Sequence, residues 1–114
     1  MLPIIPRELS KETRSVNGVK IKLTSERIEH IIWKHPEVKP CVEKVIETVE
    51  KPDLLIQGEL GEIKALKFYQ SLHIGSKYMV VPYREKGSEG FIITVYFTSS
   101  LDRVRGRIVW RSQK

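Results

Sequence analysis

Apolar residues recur at helical spacing up to about residue 50 and at every second position from Leu54 onward. After a turn at Asn17-Gly18, the stretch Val19-Lys20-Ile21-Lys22-Leu23 alternates apolar and basic residues, which predicts a half-exposed strand. Thr24 offers a capping hydroxyl and Glu26 an acidic first turn; Ile28, Ile31, Ile32 and His35 follow at i, i+3, i+4 and i+7. An amphipathic helix is expected there, ending at His35 because Pro36 disfavours helical geometry in the residue before it. Val42, Val45, Ile46 and Val49 repeat the spacing and predict a second helix that stops before Pro52. Turn residues then cut the remainder into strands expected at 54–57, 63–72, 77–84, 91–98 and 107–111, with no helix-length segment between them. Short connections favour antiparallel pairing, so the fold class is α+β: N-terminal helices on one face of an antiparallel sheet of about four strands. Pro82 inside the third of these strands signals an edge or a bulge.

Alternation also predicts which side chains face the helices. In 91–98 the inward set is Phe91, Ile93, Val95 and Phe97, leaving Ile92, Thr94, Tyr96 and Thr98 on the open face. In 63–72 the same logic turns Leu66, Phe68 and Leu72 inward and Lys67, Tyr69 and Ser71 outward. A basic, hydroxylic and aromatic open face suits a single-stranded polynucleotide, through phosphate contacts and stacking of bases on rings. A plain solvated sheet is the competing explanation.

At 114 residues the chain has room for one compact domain, here residues 18–114, preceded by an arm at 1–17 that contains two prolines and no sustained periodicity. Forty per cent apolar and 30 per cent charged residues support a packed core and exclude wholesale disorder. No apolar run approaches the roughly 20 residues that span a bilayer, and the single Cys41 precludes an intramolecular disulfide; a cytoplasmic protein is expected. Asn occurs once and Gln three times among abundant Lys, Glu, Arg, Ile and Val, a balance suggestive of a thermophile.

Charge sharpens the picture, because the net +6 is unevenly placed. Residues 1–56 carry ten basic and nine acidic side chains, whereas 57–114 carry ten basic and five acidic. Arg103, Arg105, Arg107 and Arg111 fall within nine residues, and with Arg84 they are the expected phosphate contacts. His30 and His35, five residues apart, lie about 140° apart around a helix, a poor geometry for one metal. With one Cys and no paired-Cys signature, no metal or other cofactor is expected. RNA can be cleaved without a metal, since its 2′-hydroxyl is the nucleophile: a base, an acid and cationic stabilisation suffice.

The run from Ile21 through Ser25-Glu26-Arg27-Ile28-Glu29-His30 to Trp33-Lys34-His35-Pro36-Glu37, the helix ending in Lys51-Pro52-Asp53, and the late Gly90-Phe91-Ile92-Ile93-Thr94-Val95-Tyr96-Phe97-Thr98 together resemble the phage-associated nucleases of the barnase, EndoU, colicin and RelE superfamily. The likeness covers about residues 19–111. It implies N-terminal helices before a four-stranded antiparallel sheet, with a metal-independent ribonuclease site on the sheet's open face. By the same resemblance, His30 and His35 are acid/base candidates, Thr94, Tyr96 and Thr98 position substrate, and Lys67 and Tyr69 match basic and aromatic positions of the middle strand. The implied function is a toxin-like or phage-derived endoribonuclease, with RNA as partner and an inhibitory antitoxin or immunity protein as a second one. A non-catalytic RNA-binding module on a degenerate nuclease fold, and a partner-binding protein whose charge keeps it in solution, are the alternatives.

Overall fold

The computed structural model describes residues 10–113; of the N-terminal arm, residues 1–9 lie outside the described residues. Eight strands and two α-helices follow one another as β1 (Lys11–Arg14), β2 (Lys20–Leu23), α1 (Ser25–Lys34), α2 (Val42–Glu50), β3 (Leu54–Gln57), β4 (Ile63–Leu72), β5 (Gly75–Lys86), β6 (Glu89–Ile92), β7 (Tyr96–Thr98) and β8 (Arg107–Arg111). Two 3-10 helices, Pro36–Cys41 and Leu101–Arg103, join α1 to α2 and β7 to β8. The architecture is α+β, as the pattern predicts. The sheet is larger than predicted and mixed: its order is β1-β2-β6-β5-β4-β3-β8, β7 also pairs with β5, and β2 runs parallel to β6.

Local chemistry places both helices where the apolar spacing puts them. Thr24 Oγ1 accepts from the Arg27 amide at 3.2 Å and caps α1, which stops at His35 before Pro36. Ile28 and Ile31 of α1 and Val45 and Val49 of α2 enter one core with Ile21, Leu23, Ala65, Met79, Val81, Tyr83 and Ile92 from the sheet and Val95 from the link between β6 and β7. The helices therefore share one face of the sheet. A smaller core on the other face gathers Leu54, Ile56, Leu66 and Val80 with Val104, while Leu101 and Tyr96 pack against it. Residues 101–104 thus cover part of the second face, and what remains open is smaller than a bare sheet.

Three expectations are corrected. Lys11–Arg14, read as part of an arm without sustained periodicity, forms an edge strand antiparallel to β2, and the turn between them is held by Glu85, which accepts from Ser15 Oγ and from Asn17 Nδ2. Residues 91–98 are two strands rather than one. Tyr83 pairs with Ile92 and Val80 with Tyr96, so three steps along β5 oppose four along β6 and β7. The extra residue is a bulge, and it sits opposite Pro82, whose carbonyl accepts from the Ile93 amide but which has no N–H to offer on that side. The bulge reverses the sides before it: Ile92 is 1 per cent exposed and Phe91, expected inward, is 42 per cent exposed. Strand β4 is turned over as far as Tyr69, which packs against the helix-side core while Phe68 is exposed; beyond a register shift, Leu72 faces that core as expected.

Candidate nucleic-acid interface

The face of the sheet away from the helices carries the row Lys22, Phe91, Arg84, because Phe91 pairs with Lys22 across β2/β6 and with Arg84 across β5/β6, and directly paired residues share a face. Lys20, Glu89 and Lys86 form the next row. Farther along, Phe68 and Tyr78 meet edge to face with ring centroids 5.1 Å apart. Lys22 lies 3.5 Å from the Glu89 carboxylate, an exposed pair that screening renders weak, so the ammonium stays available to a stronger anion.

Arg84 and Lys64 are pinned by backbone carbonyls. Arg84 Nη1 donates to Leu60 O at 2.8 Å and Lys64 Nζ to Arg105 O at 2.7 Å, while Lys64 pairs with Pro82 two positions from Arg84. Such anchoring fixes the charges while leaving further donors on each group for a ligand. Glu62 belongs to the same turn: its Oε1 accepts from the Leu60 amide at 3.2 Å and lies over Gly58, where a Cβ would collide with it. Burial, reinforced by the Glu62 charge, pushes the half-buried Tyr96 phenol above its ordinary value, so it is a protonated donor at neutral pH. A carboxylate, a phenol, a guanidinium and an ammonium are thus arranged around the Gly58–Glu62 turn.

The residues singled out by sequence distribute differently. His30 is exposed on α1, in a depression lined by Glu26, Glu29, Ile32 and Trp33, and its ring centroid is 6.4 Å from that of Trp33. Two carboxylates make that depression hostile to phosphate. Trp33 is 76 per cent exposed. His35 ends the helix with Nδ1 3.9 Å from Glu37 Oε2. The contacts of the two imidazoles are with Trp33 and Glu37 of their own segment.

Lys67 and Tyr69, expected on the open face, instead fasten α2 to the sheet. Lys67 Nζ donates to Lys51 O at 2.8 Å, at the helix's carboxyl end where cations are favoured, and lies 3.9 Å from Asp53. Tyr69 Oη is 2.7 Å from Glu47 Oε1 and 3.1 Å from Thr48 Oγ1; burial pushes its phenol far above its ordinary value. Thr98 is buried and its Oγ1 donates to Ser100 O at 3.0 Å, and Thr94 lies in the bulge between β6 and β7. Of the arginines, Arg103, Arg105 and Arg107 are exposed, and Arg107 Nη2 lies 3.4 Å from Gln57 Oε1.

No family model, curated protein or solved structure matches this chain. Geometry and chemistry therefore carry the functional reading. Sequence reasoning missed Glu62, Lys64 and Phe91 on the open face; the signal for the last was Pro82, which marked the bulge. Among the described residues, no group of three or more His, Cys, Asp or Glu side chains could hold a metal ion, and no helix is long and apolar enough to cross a membrane.

Proposed function

We propose that this chain is a metal-independent endoribonuclease whose substrate lies over the open face of the sheet, with its proton-transfer groups there and not on α1. One observation carries the reading: Tyr96 pairs with Val80 and Lys64 with Pro82 two positions along β5, which sets the phenol and the ammonium on the face that carries Arg84, beside the turn that holds Glu62. The resemblance to the barnase, EndoU, colicin and RelE superfamily points to the same chemistry, although here two strands precede the helices and the sheet is mixed.

In this mechanism the Glu62 carboxylate takes the proton of the RNA 2′-hydroxyl, whose oxygen attacks the adjacent phosphorus. Arg84 and Lys64 stabilise the charge gathered on the phosphoryl oxygens. Tyr96 gives its proton to the departing 5′-oxygen, leaving a 2′,3′-cyclic phosphate and a free 5′-hydroxyl. Phe91, beside Arg84, provides a ring on which a base can stack.

A non-catalytic RNA-binding module is the second reading, favoured by the engagement of Arg84 and Lys64 with carbonyls, which suits static phosphate contacts. Single-stranded RNA incubated with the protein in excess EDTA separates the two. Cleavage to cyclic-phosphate ends, slowed about 100-fold or more in Glu62→Gln and in Tyr96→Phe, is the expected result. Equal slowing in His30→Ala would return the chemistry to the helix. Salt-sensitive binding without cleavage would select the second reading.

A further inference from the structure

Strand β8 (Arg107–Arg111) bonds β3 along one edge and, among the described residues, has no strand along the other. Its outer backbone groups are therefore open to pairing. Ile108 and Val109 stand 41 and 46 per cent exposed on it, in contrast to the buried apolar residues of the inner strands. Val109 is the extra residue where the β3/β8 register shifts, since Ile56 pairs with Ile108 and Leu55 with Trp110. Arg107 and Arg111 flank these two apolar residues on the strand, and Arg103 and Arg105 lie in the segment that leads into it; all four are exposed, and none forms an ion pair with a described carboxylate. Asp102 is the only acidic residue from 101 to 113.

Charged residues on an edge strand ordinarily discourage pairing with any neighbour. Here all the charge has one sign, so pairing is discouraged selectively. A second copy of the chain is disfavoured: two β8 strands meeting antiparallel about Val109 would set Arg107 opposite Arg111 twice over. RNA would meet the arginines but leave Ile108, Val109 and the open backbone ladder without complementary groups. A strand bearing carboxylates between apolar residues satisfies all three features together.

We propose that the free edge of β8 is a docking site for an extended segment of a partner protein in which acidic and apolar residues alternate, added to the sheet as a further strand. Main-chain bonds supply the pairing, the partner's apolar residues cover Ile108 and Val109, and its carboxylates meet the four guanidinium groups. The site adjoins the proposed catalytic group, since the Arg105 carbonyl holds Lys64, but it uses the outer edge of β8 and stands whether or not that group cleaves RNA.

The test uses two fluorescein-labelled peptides of equal charge, Glu-Val-Glu-Val-Glu-Val-Glu and Glu-Gly-Glu-Gly-Glu-Gly-Glu, titrated with the intact protein and followed by anisotropy. The valine peptide is expected to bind about tenfold more tightly or better, to lose about tenfold in affinity in the Arg107→Glu/Arg111→Glu variant, and to weaken with salt. Hydrogen exchange should slow at β8 amides when it binds. Equal affinity of the two peptides would reduce the site to unspecific charge attraction and overturn the proposal. So would protection appearing at β2, β5 or β6 instead of β8, or an oligoribonucleotide of about ten residues protecting β8 where the valine peptide does not.

Discussion

Tyr69 on β4 places its hydroxyl 2.7 Å from the Glu47 carboxylate on α2, on the helix side of the sheet with Ala65. Two residues earlier, Lys67 reaches the carbonyl of Lys51 where α2 ends. Both polar side chains use their length to reach the helix rim, with the Tyr69 ring lying 5.9 Å from the Lys44 ammonium. Tyr69→Phe is expected to lower stability by about 1 kcal/mol, measured by urea unfolding, while RNA cleavage per folded molecule stays unchanged. A loss of turnover at full stability would restore Tyr69 to the catalytic group.

Cover on both faces of the sheet explains why the orientation of β4 was illegible in sequence. Leu66 and Phe68 alternate with Lys67 and Tyr69, and for a sheet covered on one face only that pattern places the apolar pair inward. Both faces are partly covered here, because residues 101–104 build a second small core over Leu66 and Val80. Hydrophobic alternation therefore stops distinguishing the two sides. The bounds of β3, β4 and β8 were legible because glycines and turn residues punctuate them. Lys11–Arg14 was not, since Lys-Glu-Thr-Arg buries only Thr13 and has no apolar alternation to detect. The break between β6 and β7 was hidden by an apolar run that continues through it.

Tyr83 is fully buried, and its hydroxyl finds no hydrogen-bond partner among the described residues. Burial first, and the Glu85 charge second, push its phenol well above the ordinary value. The unfolded chain therefore releases this proton near pH 10 while the folded chain keeps it, so above that pH the unfolded state binds fewer protons and stability falls as pH rises. Below pH 10 the contribution is level. Tyr83→Phe is expected to match or exceed the parent's stability at pH 7, by up to about 1 kcal/mol, and to lose less stability between pH 10 and 11.5, by about 1.4 kcal/mol per pH unit for the removed titration. Urea unfolding across that range measures both. A variant weakened at pH 7 would mean that the hydroxyl is hydrogen-bonded.

Gly106 joins the second 3-10 helix to β8 with φ of +125°, a region that side chains avoid, and a Cβ there would press on the Gln57 carbonyl and the Ile56 side chain. Gly106→Ala is expected to cost about 2 kcal/mol or more, from strain and collision together. Because β8 is the strand displaced, the variant should also bind the acidic valine peptide less tightly. Thermal unfolding and anisotropy are the two readouts, and an unchanged melting temperature would contradict the tight junction.

Phe91 and Ile92 are adjacent on β6 and therefore face opposite ways, which makes their substitutions separable. Ile92 belongs to the helix-side core at 1 per cent exposure, so Ile92→Ala should remove about 2–5 kcal/mol of stability by leaving a cavity. Its effect on RNA affinity, measured below the unfolding transition, should be small. Phe91 lies between Lys22 and Arg84 on the open face, where a base can stack on its ring while the flanking cations hold phosphates. Phe91→Ala should leave stability nearly unchanged and weaken single-stranded RNA binding by about 1–3 kcal/mol. Arg84→Gln should act differently again, lowering the slope of log affinity against log salt by about 0.7, because one phosphate is no longer neutralised. If Phe91→Ala destabilised the fold and spared RNA binding, the ring would be a packing residue and the open face would lose its base platform.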